Sequence, residues 1–168
     1  MSVGIKIKDV DKEDMYALNV YNAILGSTPS SKLFQIFREK ESLAYTARSR
    51  FYRFKDIIII YAGIEAKNYE KGKEVILDIL QSIKRLNITD EEFEAAKQSL
   101  IADLSEWNDS KIMMAKSLYT DLITYFKPTN SIEDMKLKIN KISLNDVKDV
   151  ANKMELKVWY LLGGEENV

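Results

Sequence analysis

Two side chains in the first third of the chain have the types and the spacing to act on a carbonyl group. They are Arg38 and Tyr45, seven residues apart in the run Arg38-Glu39-Lys40-Glu41-Ser42-Leu43-Ala44-Tyr45. Arginine presents a planar fork of N–H donors that cannot be deprotonated, and tyrosine adds a phenolic O–H. Arg38 falls near the end of an amphipathic helical pattern and Tyr45 near the start of an extended run. A helix-to-strand corner of this kind can turn a charged fork and a neutral donor onto one carbonyl oxygen or oxyanion. The same two residues also suit a purely structural role. A cation in the last turn of a helix complements the helix dipole, and tyrosine is an ordinary strand residue. Residue types and spacing leave both readings open.

Other chemistries are narrowed by what the sequence lacks. There is no histidine and no cysteine among the 168 residues. Zinc sites draw on His, Cys and carboxylates, and catalytic ones nearly always include His. Serine and cysteine nucleophile schemes lose their usual base as well. No Asp-rich loop with a glycine turn offers a calcium or magnesium site. The expectation is a chain with no catalytic residue and no metal or cofactor of its own, inactive as a peptidase in isolation.

Composition sets the remaining bounds. With 46% hydrophobic and 30% charged residues the chain is an ordinary globular one, and its length fits one domain over residues 1–168. A net charge of −1 gives no argument for nucleic acid or an anionic membrane. No apolar run approaches the ~20 residues of a membrane span, and the first residues carry no signal-peptide pattern. The absence of cysteine agrees with a cytoplasmic location.

Several elements must position Arg38 and Tyr45. Val3 and Ile5 alternate with polar residues as a strand that starts almost at residue 1, which leads us to expect a piece of a longer chain. Asp11 can cap a helix bearing Met15, Leu18, Ala23 or Asn22, and Leu25, terminated by Gly26. Pro29 suits the first turn of a second helix whose buried stripe is Leu33, Ile36 and Phe37. Tyr45 to Phe54 is a strand made basic by Arg48, Arg50 and Arg53. Interleaved arginines and aromatics can bind RNA, but a solvated face with cation–π contacts is favoured because the rest of the chain is not basic. Lys55-Asp56 turns the chain into Ile57-Ile58-Ile59-Ile60-Tyr61-Ala62-Gly63-Ile64, an unbroken apolar run that predicts a central strand buried on both faces.

From Asn68 the period becomes helical, with Tyr69, Val75 or Ile76, Ile79 or Leu80, Ile83 and Leu86 recurring until Asn87-Ile88. Thr89-Asp90-Glu91-Glu92 opens a helix carrying Phe93, Ala96, Leu100, Leu104 and Trp107, interrupted at Asn108-Asp109-Ser110. A further helix runs from Lys111 to Phe126 and ends at Pro128, its Met113 and Met114, like Met135 beyond, serving as core filler. Ser131-Ile132-Glu133-Asp134 and Ser143-Leu144-Asn145-Asp146 open two short helices. Leu156 to Leu162 is a last strand, followed by a solvated tail from Gly163-Gly164. Helices segregated from a mainly antiparallel sheet define an α+β fold.

The segment Ser30-Ser31-Lys32-Leu33-Phe34, then Arg38-Glu39-Lys40, then Leu43-Ala44-Tyr45 resembles the S-x-L-[FY]…R-E-K-x-x-L-[AG]-Y stretch of the pitrilysin/insulinase-like zinc peptidases. Asn22-Ala23-Ile24-Leu25-Gly26 before it, Ile57 to Glu65 after it and Val158-Trp159-Tyr160-Leu161-Leu162-Gly163 at the end extend the similarity over nearly the whole chain. The resemblance implies the family's α/β roll, with helices packed on one side of the sheet. It implies the C-terminal, non-zinc domain of a bacterial-type member, since the family's H-x-x-E-H motif cannot occur without histidine. It further implies a peptide substrate, and a zinc ion held by a homologous domain or subunit. Arg38 and Tyr45 fall on the family positions that reach across to substrate, fixing its backbone and stabilising the tetrahedral intermediate. A domain that keeps the fold as a scaffold without handling substrate is the alternative.

Overall fold

The computed structural model describes residues 1–11, 13–125 and 131–163. Strand β1 (Ser2–Ile7) leads to α1 (Asp14–Asn22), which continues as a wider π-type turn over Ala23–Ser27. Next come α2 (Leu33–Lys40), β2 (Ala44–Tyr52) and β3 (Ile57–Ile64). After a single 3-10 turn at Ala66–Asn68 there are α3 (Tyr69–Lys84), α4 (Asp90–Asp109), α5 (Lys111–Tyr125), α6 (Ile132–Lys141) and α7 (Leu144–Asn152). Strand β4 (Met154–Tyr160) closes the series. The order expected from the sequence is the order found.

The four strands form one sheet in the order β2-β3-β1-β4, every pairing antiparallel. Val3, Ile5 and Ile7 of β1 are buried and the residues between them are half-exposed, as the two-residue period of a strand requires. Val3, Ile5, Ile7, Ile58 and Ile60 belong to one core with Leu18, Tyr21, Leu25, Phe37, Ile76 and Val147 from the helices. The fold is α+β.

Caps fix the helix starts. Asp11 Oδ1 accepts from the backbone N–H of Glu13 and Asp14 at 2.8 and 2.9 Å, and Asp14 Oδ2 accepts in return from Asp11 N–H at 3.0 Å. Thr89 with Glu92, Ser131 with Asp134 and Ser143 with Asp146 form the reciprocal pairs expected of capping boxes.

Four expectations are corrected. The isoleucine run of β3 is not buried on both faces: Ile58 and Ile60 have 0% exposure, whereas Ile57, Ile59 and Tyr61 are half-buried. Helices cover one side of the sheet only, so even an all-apolar strand keeps an inner and an outer row. Gly26 does not end its helix in a left-handed conformation, since no glycine among the described residues has positive φ. It lies inside the π-type turn, where an added Cβ would come 2.6 Å from the backbone nitrogen of Ser49. Met113 and Met114 are exposed on α5, alongside Ile112, Leu118, Tyr119, Leu122 and Ile123, whereas Met135 packs against the core. The break before α5 narrows to Ser110, α4 running on to Asp109. The Trp107 side chain, the end at Phe126 to Pro128 and the tail from Gly164 lie outside the described residues.

Candidate functional site

The corner between α2 and β2 is built from its buried residues outward. Leu33 and Phe37 are fully buried, so Arg38, next in sequence to Phe37, is turned toward solvent. Its guanidinium lies 4.8 Å from the centre of the Phe34 ring, a cation–π contact. Among the described residues no carboxylate pairs with Arg38. Glu41 is engaged by Lys71 of α3 at 2.8 Å, and the hydrogen bond from Lys71 holds its carboxyl below the usual range. Winding of α2 is wider than that of an α-helix: Glu41 N–H donates to Ile36 O at 2.9 Å, across five residues. Such π-type winding is uncommon and tends to mark functional segments.

Ser42 then takes a left-handed conformation, φ 51°. Leu43 is buried, and its N–H donates to Phe37 O at 3.0 Å, tying the strand entry to the helix. Ala44 stands opposite Ile64 and Ala47 opposite Ala62, so Tyr45 and Thr46 together face Gly63. Two residues against one is a β-bulge, a device that re-aims side chains. Tyr45 is 92% exposed, and among the described residues nothing hydrogen-bonds its hydroxyl. The structure thus places Arg38 and Tyr45 at the two ends of one corner, both exposed. Neither side chain is spent on the core or on a local carboxylate.

Beyond the bulge, Ser49 faces the helices and donates to Asn22 Oδ1 at 2.7 Å, while Arg48, Arg50 and Tyr52 take the other face. Arg48 lies 5.8 Å from the Tyr61 ring and Arg50 5.1 Å from the Tyr52 ring. The Tyr52 and Tyr61 hydroxyls are 2.8 Å apart, and this hydrogen bond raises the pKa of Tyr61. The cation–π face anticipated for β2 is present. Nothing in the sequence signalled the hydroxyl pair: Tyr52 stands opposite Ile57 at the turn, and Tyr61 four residues further along, opposite Arg48. The bulge carried no signal beyond Gly63.

The residues present do not fit a zinc ion. The sequence has no histidine or cysteine, and among the described residues no group of three or more His, Cys, Asp or Glu could hold a metal. No helix among them is long and apolar enough to cross a membrane.

An antiparallel sheet with helices on one face defines an α/β roll, and comparison with known proteins agrees. Residues 1–100 match the family described as the Peptidase M16 inactive domain. The chain belongs to that family. It is 30% identical over 154 residues to the "Probable inactive metalloprotease YmfF" of Bacillus subtilis, covering 92% of this chain and 36% of that protein. It is 30% identical over 159 residues to the "Uncharacterized zinc protease YmxG" of the same organism, covering 92% of this chain and 38% of that one. The chain therefore spans little more than a third of the length of these relatives. Among solved structures, a conserved protein from Enterococcus faecalis V583 superposes with a TM-score of 0.85 at 27% identity, over 93% of this chain and 37% of that one. A peptidase M16 inactive domain from Pseudomonas fluorescens shares the fold, with a TM-score of 0.74 at 21% identity, over 91% of this chain and 39% of that one.

Proposed function

We propose that this chain is the C-terminal, substrate-positioning domain of a longer cytoplasmic zinc metalloendopeptidase. It works opposite a homologous domain or subunit that holds the zinc. Arg38 donates to a backbone carbonyl of the bound peptide, and Tyr45 donates to the oxyanion that develops on the carbonyl under attack. One observation carries the reading: Tyr45 is 92% exposed at a bulge, at the other end of the corner from Arg38, which among the described residues pairs with no carboxylate. Folding gains little from a tyrosine so placed. The match to little more than a third of YmxG, which is named a zinc protease, supports a further domain that carries the metal.

A test needs the complete enzyme, zinc-bearing half included, and a fluorogenic peptide. Arg38→Ala and Tyr45→Phe should each lower turnover by about a hundredfold, the scale of losing one oxyanion donor, and leave thermal unfolding nearly unchanged. Acting on one transition state, the double variant should lose less than the product of the single losses. Large drops in melting temperature with unchanged turnover per folded molecule would return both residues to a structural role. The name of YmfF favours a second reading, a scaffold that handles no substrate. Under it neither substitution would alter cleavage.

A further inference from the structure

The outer face of the β2–β3 hairpin has features that the corner does not use. A hollow of about 370 Å³ opens along the free edge of β2, from Gly26, Ser27 and Ser49 on the helical side to Arg48, Arg50, Tyr52 and Tyr61 on the outer face. Arg48 and Arg50 are both exposed, and among the described residues neither pairs with a carboxylate. Their charge is met only by the tyrosine rings beneath them. By contrast, the lysines elsewhere on the same sheet have acidic partners: Lys8 and Lys157 share Glu155, and Lys6 pairs with Asp56. Among the described residues, Arg48 and Arg50 are thus the basic side chains of the strands that have no carboxylate partner, and both line this hollow.

We propose that this hollow is a binding site for acidic side chains of a peptide, a subsite that selects Asp or Glu in the bound segment. The proposal rests on the reading that this domain holds a peptide, and adds its chemical class. Arg48 and Arg50 are two residues apart on one strand face, roughly 6.6 Å along the strand. Successive same-face side chains of an extended peptide have that spacing too, so a Glu-x-Glu segment can present one carboxylate to each guanidinium. Each arginine keeps its donor fork while stacked on a ring. In the Tyr52–Tyr61 pair one hydroxyl donates to the other, which leaves one phenolic proton for an outside acceptor. RNA fits less well. Bases need open aromatic faces for stacking, and here the guanidinium groups already lie over the rings.

Fluorescence anisotropy of the 168-residue chain with labelled decapeptides tests this. The peptides carry Glu-x-Glu or Gln-x-Gln at the centre, with the C-terminus either amidated or free, and an oligouridylate is titrated beside them. The Glu-x-Glu peptide should bind at least tenfold more tightly than its Gln counterpart, whether or not its terminus is amidated. Added salt should reduce that gap. Replacing both arginines (R48Q with R50Q) should abolish the preference. R48K with R50K, which keeps the charge without the fork, should retain part of it. Equal binding of the two peptides, a preference that survives R48Q/R50Q, or one that follows only the free C-terminus would overturn the proposal. So would tighter binding of the oligouridylate. The readout is the ratio between the two peptides, so R38A, which removes a backbone contact common to both, should weaken both alike without changing that ratio. Failure of the corner in cleavage and failure of this subsite are therefore separate results.

Discussion

Gly26→Ala puts one methyl group where the helical layer meets the edge strand. Gly26 has no positive φ, so alanine is compatible with the backbone, and the loss of chain freedom in the unfolded state would favour it by about 0.4–1 kcal/mol. Space decides the opposite sign. The new Cβ would lie 2.5 Å from Leu33 Cδ1, 2.6 Å from Ser49 N and 2.8 Å from Ser49 Oγ, where ordinary carbon contacts lie near 3.5–4.0 Å. Leu33 is fully buried. Ser49 is fixed by its pairing with Ile60 and by its bond to Asn22. Overpacking of this kind costs about 1–3 kcal/mol, and with backbone as one wall the upper half of that range applies. The net loss should be about 1–2.5 kcal/mol, a fall in Tm of roughly 2–10 °C for a chain of this size. Circular dichroism melts and urea titrations of the two proteins measure it. In a double-mutant cycle Leu33→Ala should recover only the part due to the leucine side chain. An unchanged or higher Tm for Gly26→Ala, or full recovery by Leu33→Ala, would refute the reasoning.

The two rows of β3 should separate under truncation: Ile58→Ala should cost about 2–5 kcal/mol as a core deletion, and Ile59→Ala clearly less, both read from urea midpoints. Equal losses would mean that both faces are covered. Lys157 and Lys8 hold the Glu155 carboxyl down to about 2. A lowered folded-state pKa gives stability that is in force above the ordinary carboxylate value and lost as pH falls through the folded one. The Tm gap between the natural chain and Glu155→Gln should therefore be small and constant near neutrality and close between about pH 4.5 and 2. A gap that persists below pH 2 would assign it to packing.

What the sequence made legible was whatever depends on neighbours a few residues away. Leu33 and Phe37 at helical spacing predicted their own burial, and with it the outward turn of Arg38. The serines and threonine with an acid three residues on predicted the caps. Properties that depend on distant partners were hidden. Whether Ile59 is covered depends on which sheet face the helices choose, and four consecutive isoleucines erase the alternation that would reveal it. Gly26 looked like a helix terminator because its reason, the backbone of Ser49, lies 23 residues away. Tyr45 could be placed in a strand but not in solvent. Its exposure comes from a slipped register against Gly63, which no local pattern encodes.

The strand order has a consequence for synthesis. β1 sits inside the sheet, yet its two neighbours come from residues 57–64 and 154–160. On the ribosome, β1 and the β2–β3 hairpin can pair while the five later helices are still being made. The other edge of β1 then remains a row of unpaired backbone groups until β4 emerges. Exposed edges of this kind recruit other chains, and contacts that span most of the sequence form slowly. The period of greatest risk for this protein is therefore the wait for its final strand, and loss of β4 alone should turn a folded domain into an aggregating one.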